Sequence, residues 1–368
     1  MKEVRIGILG LGHMGSYHAQ HIVEGRVSRA RLTAVCDTNL QSPAQFPNAA
    51  KFTNAGEMFS SGLIDAVLIA TPHFAHTSDG IAALGAGLHV LVEKPISVHK
   101  ADCERLIAAY QSGRCVFAAM FNQRTDPVFT KLRSLIQAGE LGTVRRIQWT
   151  VTNWFRPQAY YNIGSWRATW ASDGGGVLLN QCPHNLDLWQ WLFGMPHEVR
   201  AFAQFGRYHD IEVEDDVTAY FQYENGTTGV FITSTGEAPG TNRLEVAGER
   251  GRIVIEDNRV AFIRNEVPMS EFSRTSTLPF AAPETWNVEI PLTGSSTQHV
   301  GILTNFVEAI LDGTPLIAPA QEGVHSVELA NAILLSAFEK ETVVLPLSSA
   351  RYEKFLWNRV AESRAAKP

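Results

Sequence analysis

A glycine-rich turn close to the first residue has the spacing of a phosphate-binding loop. It reads Gly10-Leu11-Gly12-His13-Met14-Gly15 and stands between an apolar run and a helical stretch. In that setting the first glycine permits a tight turn, the second lets the backbone approach a diphosphate, and the third lets the helix pack closely on the strand. We therefore expect these residues to hold the diphosphate of a dinucleotide, with His13 acting through its backbone.

A single carboxylate follows the second apolar run, where dinucleotide-binding proteins bind the adenosine ribose. Asp37 lies 22 residues beyond Gly15, and no Arg or Lys follows it before Lys51. A carboxylate at this point accepts hydrogen bonds from the ribose hydroxyls and repels a 2′-phosphate. The sequence therefore predicts NAD as the cofactor in preference to NADP.

Lys94 and His184 are the residues best suited to move a proton. Lys94 stands at the carboxyl end of a predicted parallel strand, where open α/β sheets place their ligands, so its ammonium could bind a substrate hydroxyl and the nicotinamide ribose. His184 and Asp187 are spaced to share one face of a helix, and a histidine suits removal of a hydroxyl proton as hydride leaves the same carbon. Taken alone, a solvated lysine and a structural histidine are the alternatives.

A segment rich in aromatic, amide and guanidinium groups follows in the second half of the chain. It contains Asn153-Trp154-Phe155-Arg156, Tyr160-Tyr161-Asn162 and Trp166-Arg167. Sugar rings offer C–H faces to aromatic side chains, and their hydroxyls require paired donors and acceptors. The mixture indicates a polyol site, with an interface or core cluster as the alternative.

The elements that must position these residues change character near residue 123. Before it, near-continuous apolar runs alternate with helical stretches, which is typical of strands covered on both faces of a parallel sheet. We expect a doubly wound Rossmann domain over residues 1–122. Its predicted strands are Val4–Leu9, Leu32–Cys36, Asp65–Ile69, His89–Val92 and Val116–Met120.

Residues 123–368 have the pattern of an α+β domain with a large, mainly antiparallel, open sheet. A predicted helix over Pro127–Ala138 comes first. Val217–Tyr223 and Thr228–Thr233 then alternate on either side of Asn225-Gly226, a pair that favours a hairpin with a type I′ turn. We assign substrate binding and oligomerisation to this domain.

Two helices of the second domain bear on how it meets the first. Pro183, directly before His184, either begins a helix at its first turn or kinks one begun near Gly176. A long helix over 322–340 could pack back on the first domain. Both concern the side of the second domain that would face the cofactor.

Short motifs are spread over nearly the whole chain. They are Ala70-Thr71-Pro72 with His76, Glu93-Lys94-Pro95, Gly174-Gly175-Gly176, His184-Asn185-Leu186-Asp187 and the tail over 322–346. Together they resemble the glucose-fructose oxidoreductase, inositol dehydrogenase and rhizopine-catabolism (Gfo/Idh/MocA) family of oxidoreductases. The resemblance implies that Lys94 and His184 are catalytic, and it leaves open which of them is the base.

The same resemblance implies which residues contact the cofactor and the substrate. The cofactor contacts, beyond the glycine-rich turn and Asp37, are Thr71, Pro72, His76, Glu93, Lys94, Trp166 and Arg167. The substrate contacts are Lys94, Asn122, Asn153, Arg156, Tyr160, Asn180, His184 and Asp187.

One position departs from the family pattern. Many relatives carry an aspartate four residues before the histidine, whereas this chain has Asn180. An amide can hold a sugar hydroxyl, but it cannot raise the basicity of its neighbours by charge. The change indicates a subgroup whose substrate need not be inositol.

Together, these residues and the resemblance predict an NAD-dependent oxidoreductase. It would interconvert a secondary alcohol and a ketone on a sugar, glycoside or cyclitol by hydride transfer at nicotinamide C4. The alternatives are a non-catalytic sensor of NAD or a sugar, and a reductase of a non-sugar carbonyl compound. Lys94 with His184 weighs against the sensor, and the amide-rich segment weighs against the reductase. The resemblance further implies a homodimer or homotetramer.

Composition argues against several classes of partner. The net charge is −6 and no block of Lys and Arg is present, so a nucleic-acid partner is not expected. No apolar run approaches the ~18 residues of a membrane span, and the first residues do not resemble a signal peptide. The histidines show no metal-ligand spacing with Cys or carboxylates, so we expect no metal. The four cysteines are far apart and form no CxxC pair, which favours a reduced, cytoplasmic chain.

Overall fold

The computed structural model describes residues 2–39, 45–111, 113–163 and 168–366. Within them, the first part of the chain forms a parallel sheet of six strands. The strands are β1 (Val4–Leu9), β2 (Ala30–Cys36), β3 (Ala50–Phe52), β4 (Ala66–Ile69), β5 (His89–Val92) and β6 (Phe117–Ala119). Their order is β3-β2-β1-β4-β5-β6, so the winding reverses between β1 and β4 and opens a crevice at the carboxyl ends of the strands. The predicted Rossmann fold is confirmed.

Burial on both faces explains why most of these strands could be recognised. Every residue of β4 is buried, and so is every residue of β5 after His89. The strand β3 was not predicted, because it has only three residues and its central Lys51 interrupts the apolar pattern. The helices that accompany the sheet are α1 (His13–Val23), α2 (Ala55–Ser60), α3 (Ala75–Gly85) and α4 (Lys100–Ala109).

The second part of the chain forms a mixed, mostly antiparallel sheet, as predicted. Its strands are β7 (Val144–Val151), β8 (Glu198–Phe205), β9 (Glu214–Gln222), β10 (Thr228–Ser234), β11 (Asn242–Gly248), β12 (Gly251–Glu256), β13 (Arg259–Asn265), β14 (Thr285–Glu289) and β15 (Val343–Val344). The order among the described residues is β14-β13-β12-β11-β7-β10-β9-β8-β15. Only the pairing of β7 with β10 is parallel.

The hairpin between β9 and β10 is confirmed, but its predicted turn type is wrong. Gly226 has a φ of +83°, whereas Asn225 is not among the residues with positive φ, and a type I′ turn needs both. The Asn225 side chain instead accepts a hydrogen bond from the Thr227 backbone N–H at 3.0 Å. Asn225 makes this local bond with a negative φ, and Gly226 alone adopts the left-handed conformation.

Helices cover one face of the second sheet. Alternate residues of β7, including Ile147, Trp149 and Val151, are buried in a core shared with the helices. Pro183 begins a helix, which decides between the two possibilities left by the sequence. The remaining helices are α5 (Pro127–Gln137), α6 (Gln158–Tyr161), α7 (Val177–Asn180), α8 (Pro183–Phe193), α9 (Met269–Thr275), α10 (Gln298–Asp312), α11 (Gly323–Glu339) and α12 (Ser349–Ala366). None of the described helices combines the length and apolarity that a membrane crossing requires.

The chain returns to the first domain after the second sheet. Ile302, Leu303 and Phe306 on α10 belong to the same buried core as β1. The Ala119 backbone N–H donates to the Ala318 carbonyl at 3.0 Å, at the β6 edge of the first sheet. A boundary at residue 122 therefore encloses the first sheet but not the whole of its core.

Helix α11 joins the two parts of the structure. It packs against β8 and α8 of the second domain and against α4 of the first. Lys100 on α4 donates from Nζ to Glu328 Oε1 on α11 and to the Leu347 carbonyl, both at 2.8 Å, in a buried environment. Asn331 accepts from the Lys100 backbone N–H at 3.0 Å, so polar contacts fix α4 against α11.

Replacing Lys100 by methionine should lower the free energy of unfolding by about 3 kcal/mol, because Glu328 would stay buried without its cation. The measurement is urea unfolding at neutral pH. The double variant Lys100→Met with Glu328→Gln should recover part of the loss, since no uncompensated charge remains. Arg31→Met, which breaks the exposed pair with Glu3, is the matched control and should change little. Equal losses in Lys100→Met and Arg31→Met would contradict the assignment.

Candidate active site

The glycine-rich turn connects β1 to α1 at the switch point of the first sheet. Gly10 has a φ of +87°, and a Cβ there would lie 2.7 Å from the Ala70 carbonyl oxygen. A Cβ on Gly15 would lie 1.8 Å from the Gly10 carbonyl oxygen, so only glycine lets α1 start this close to the turn. A Cβ on Gly12 would meet no protein atom within 4 Å. The backbone is thus open at the middle glycine, where a diphosphate would approach.

The backbone N–H groups at the amino-terminal end of α1 have no side-chain cap and are available to a ligand. Gly12 is its N-cap residue, and no side chain caps the first turn. His13 is exposed and Met14 is half-buried, so both can present backbone N–H groups to phosphate oxygens. These residues fit a dinucleotide diphosphate.

Asp37 follows β2 and braces the same turn. One carboxylate oxygen accepts from the Leu11 backbone N–H at 2.6 Å, and the other accepts from the Asn39 backbone N–H at 2.7 Å. The side chain is half-buried beside the turn. Asp37 therefore both shapes the turn and presents a carboxylate where a ribose would lie.

His76 connects the ends of β4 and β5. Its Nε2 contacts the Thr71 carbonyl at 2.7 Å and its Nδ1 contacts the Pro95 carbonyl at 2.8 Å. The ring is buried, and burial lowers the pKa of His76 against the raising effect of the two carbonyls. His76 thus supports the loops around the cofactor crevice through backbone atoms, while Pro72 is exposed at the rim.

A buried ion pair lies directly behind Lys94. Glu93 Oε1 is 2.6 Å from His18 Nε2, and the other Glu93 oxygen accepts from the Lys94 backbone N–H at 3.1 Å. Burial alone would raise the pKa of Glu93, but the His18 hydrogen bond and the charges of His18 and Lys94 lower it to about 2. Glu93 is therefore an anion that fixes the Lys94 backbone at the end of β5.

The three consecutive glycines pack where no side chain would fit. Gly174 has a φ of +74°, and a Cβ on it would lie 2.1 Å from Val98 Cγ1. A Cβ on Gly176 would lie 2.0 Å from the Glu214 carbonyl oxygen on β9. The Glu214 carboxylate accepts from the backbone N–H groups of Gly176 at 2.8 Å and Leu178 at 3.0 Å, at the start of α7. The glycines let α7 lie between β9 and the segment that follows Lys94.

Helix α7 ends beside Lys94. Lys94 Nζ donates to the Asn180 backbone carbonyl at 2.9 Å, so the ammonium at the edge of the first sheet contacts the second domain directly. No described residue hydrogen-bonds the Asn180 side chain, which is half-buried. The main chain at position 180 therefore holds the lysine, and the amide remains available to a substrate.

His184 lies on the first turn of α8 as a buried, neutral base. Burial and then the charge of Lys94 lower the pKa of His184 to about 3. Its Nδ1 is buried without a hydrogen-bond partner among the described residues, and its ring meets Phe121 edge-on at 6.4 Å. A neutral imidazole beside an ammonium can accept and pass on a proton but cannot hold it at neutral pH.

Asp187 takes a different role from the substrate contact predicted for it. Its two oxygens accept from Arg124 Nε at 2.8 Å and Nη2 at 2.6 Å, in a buried ion pair. Arg124 also bonds Glu322 and the Ile317 carbonyl. The bidentate pair anchors α8, and the carboxylate is already occupied by protein donors.

The other predicted substrate residues differ in their burial and in their protein partners. Asn122 is buried, with its amide nitrogen bonded to Gln298 and its Oδ1 without a partner among the described residues. Asn153 is exposed. The Arg156 guanidinium lies 5.1 Å from the centre of the Tyr160 ring, and the Tyr160 hydroxyl accepts from Gln181 at 3.4 Å. Trp166 and Arg167 lie outside the described residues.

Residues that the sequence did not single out also reach this site. His299, on the first turn of α10, has its ring centre 5.4 Å from that of His18, which contacts Glu93. Burial lowers the pKa of His299 to about 4. No motif marks His299, because the fold brings it to the site from about 200 residues downstream of Lys94. Among the described residues, no group of three or more His, Cys, Asp or Glu side chains could hold a metal ion.

Comparison with known proteins identifies the two halves of the chain. Residues 4–121 match an oxidoreductase family with an NAD-binding Rossmann fold, and residues 129–254 match the GFO/IDH/MocA C-terminal domain. The chain belongs to the Gfo/Idh/MocA family. The first domain of this Gfo/Idh/MocA protein is accordingly an NAD-binding domain.

Relatives of this Gfo/Idh/MocA protein are dehydrogenases of several polyols. It is 24% identical to myo-inositol 2-dehydrogenase of Thermotoga maritima, over 93% of this chain and 98% of that protein. It is 23% identical to levoglucosan dehydrogenase of Pseudarthrobacter phenanthrenivorans, over 95% of this chain and 100% of that protein. Its structure is similar to that of the WlbA dehydrogenase of Bordetella pertussis, solved with NADH and UDP-GlcNAcA, with a TM-score of 0.79, 25% identity, and coverage of 94% of this chain and 100% of that one.

The buried histidines should make the protein less stable in mild acid. His184 and His73 have pKa values of about 3 and His299 of about 4 when folded, whereas an unfolded chain takes up these protons near pH 6.5. The unfolded state therefore binds more protons below about pH 6.5, so the free energy of unfolding should fall as the pH decreases from there toward 4. Urea unfolding across this range and NMR titration of the rings are the measurements.

The variant His184→Asn is the control, because it removes one of these groups and should flatten the pH dependence. Glu214 has the opposite effect on stability. Burial raises its pKa to about 7, so below that pH the folded state binds the extra proton and the Glu214 contribution to the free energy of unfolding rises as the pH decreases. Ring titrations of His184 and His299 near pH 6.5 would show that neither is desolvated as described.

Proposed function

We propose that this protein is an NAD-dependent dehydrogenase that interconverts a secondary alcohol and a ketone on a sugar, glycoside or cyclitol. The observation that carries the proposal is the contact of Lys94 Nζ with the Asn180 carbonyl, which places an ammonium at the edge of the NAD-binding sheet beside neutral His184. Relatives named for inositol and levoglucosan support the substrate class. The selection of NAD over NADP is part of the proposal and rests on Asp37.

The protein residues have separate tasks in this reaction. Bound NAD supplies the hydride acceptor at nicotinamide C4. Lys94 donates hydrogen bonds to the reacting oxygen and stabilises the negative charge that develops there. His184 takes the hydroxyl proton on its unprotonated nitrogen and passes it on, because its low pKa makes the imidazolium short-lived. Glu93 holds the Lys94 backbone in place from behind.

Asn180 changes how charge is balanced in this site. A carboxylate at this position would attract the Lys94 ammonium with its side chain, whereas here the backbone carbonyl does so. The Asn180 amide is neutral and offers both a donor and an acceptor to a sugar hydroxyl. Assembly as a homodimer or homotetramer and a cytoplasmic location stay predictions.

Removing either proton-handling group should reduce turnover strongly. Lys94→Ala and His184→Ala should each lower kcat by ~10² or more, and the double variant should lose much less than the product of the two, because the groups act as one unit. NAD binding, measured by calorimetry, should survive better in His184→Ala than in Lys94→Ala. The assay is NAD reduction across a panel of inositols, methyl glycosides and anhydrosugars. Turnover by His184→Ala near the unmodified rate would remove the histidine from the mechanism, and no turnover of any panel member would favour the sensor.

The charge of Asp37 should determine the choice of cofactor. Asp37→Asn keeps an oxygen for the Leu11 N–H but removes the charge that repels a 2′-phosphate. The ratio of kcat/KM for NAD to that for NADP should therefore fall about tenfold or more, by the loss of charge-assisted hydrogen bonds. Thermal unfolding of the variant controls for damage to the turn. An unmodified enzyme that already prefers NADP would refute the assignment.

A further inference from the structure

A cavity lies on the helix-covered side of the second sheet, and its lining residue Gln298 bonds Asn122, the neighbour of the Phe121 ring that meets His184. Its volume is about 310 Å³, which is on the order of ten water molecules at ~30 Å³ each and comparable to one sugar ring. We call it the amide pocket. Its lining residues are Gln123, Asp126, Val128, Phe129, Trp149, Asn153, Asn242, Leu244, Ile255, Glu256, Asp257, Asn258 and Gln298.

The lining combines hydrogen-bonding groups with an aromatic wall. Five amide side chains and three carboxylates provide donors and acceptors, and the half-buried Phe129 ring forms the aromatic wall, whereas Trp149 is only 1% exposed. Asn242 Oδ1 is taken by Trp149 Nε1 at 3.0 Å, which leaves the Asn242 NH₂ group for a ligand. No Lys or Arg is among these lining residues, so the pocket suits a neutral, hydroxylated ligand and not a phosphate or carboxylate.

Two parts of the wall have conformations that ordinary residues rarely adopt. Asp257 and Asn258 have φ values of +50° and +57° and form the two-residue turn between β12 and β13. Gln298 has a φ of +47° at the start of α10. A loop of two left-handed residues is the type I′ hairpin turn, which Asp and Asn adopt readily. It places two exposed polar side chains at the edge of the cavity.

Consecutive residues link the amide pocket to the catalytic cluster. Gln298 lines the pocket, and the ring centre of the next residue, His299, is 5.4 Å from that of His18, which contacts Glu93. Gln298 also accepts the amide hydrogen of Asn122, whose own Oδ1 is buried without a partner among the described residues, the side chain being only 5% exposed. None of Lys94, Asn180 and His184 lines the pocket, so it is a separate compartment next to the reacting position.

We infer that the amide pocket binds a second, uncharged sugar ring, so that the substrate is a disaccharide or a similar glycoside instead of a free monosaccharide or inositol. The inference rests on the proposed dehydrogenase function, because it assumes that the first ring reacts beside Lys94. The Phe129 ring would pack on the C–H face of the second ring, and the amides would bind its hydroxyls. The pocket then sets the length of substrate that the enzyme prefers.

The test compares paired substrates that share a reacting ring. The probes are methyl α- and β-glucosides and the disaccharides trehalose, maltose and cellobiose, with NAD reduction as the assay. We expect the best disaccharide to exceed its methyl glucoside in kcat/KM about tenfold or more, as several hydrogen bonds of ordinary strength would give. Equal kcat/KM values for every pair would overturn the inference.

Two conservative variants of the turn isolate the pocket. Asn258→Gly keeps the left-handed conformation and removes the amide, and Asp257→Asn removes only the charge. Each should lower kcat/KM for the disaccharide several-fold and leave the methyl glucoside within about twofold, as expected when one hydrogen bond is lost. Lys340→Gly, at a left-handed position at the end of α11, is the matched control and should affect neither. Losses shared equally by both substrates would overturn the inference.

Saturation-transfer NMR with the same disaccharides separates this inference from the proposed function. If no sugar is oxidised but a disaccharide binds and Asn258→Gly abolishes its contacts, the dehydrogenase proposal fails while the pocket assignment stands. If methyl glucosides are oxidised and no disaccharide binds, the pocket assignment fails and the dehydrogenase proposal stands.

Discussion

The contact between Lys94 Nζ and the Asn180 carbonyl is the interaction on which the site depends, because it connects the edge of the first sheet to the second domain beside His184. Neither partner reaches the other by local structure. Glu93 and His18 hold the lysine backbone at the end of β5. On the other side, Gly176 and the Glu214 carboxylate bring α7 against β9. Four separate segments must therefore pack correctly before the ammonium and the imidazole meet.

Burial shifts the pKa values of the two titratable groups beside Lys94 in opposite directions: it raises that of Glu93 and lowers that of His184. Glu93 stays an anion because the His18 hydrogen bond and the charges of His18 and Lys94 outweigh burial, whereas His184 stays neutral because burial and then the charge of Lys94 lower its pKa. The negative charge of the site thus stays on Glu93, and the His184 ring stays unprotonated and able to accept a proton. Low dielectric makes both effects strong, since water does not screen them.

The parts of the fold that could be predicted are those with short-range signals. Continuous apolar runs marked β1, β4 and β5, and the spacing of Gly10, Gly12 and Gly15 marked the phosphate turn. Asp187 was expected to contact a substrate because of its helical spacing from His184. In the structure its carboxylate accepts hydrogen bonds from Arg124, which is distant in sequence. Spacing shows which residues share a face; it cannot show which distant side chain meets that face.

Long-range features left no comparable signal. The strand β3 is too short to show a period, and α10 has an amphipathic pattern that fits either domain. His299 and the amide pocket arise only when α10 has returned to β1. Residue types near them are ordinary, so their chemistry follows from tertiary placement alone.

The return of α10 to the first core makes the second domain an insertion within the first. Residues 302–320 complete a core that begins at Val4, with the second sheet formed by the chain in between. A fragment ending at residue 122 would expose the surface that α10 covers, and it would be a poor candidate for independent expression. Chimeras between relatives should therefore exchange the inserted segment at two junctions, which keeps the cofactor domain whole while changing the chemistry it serves.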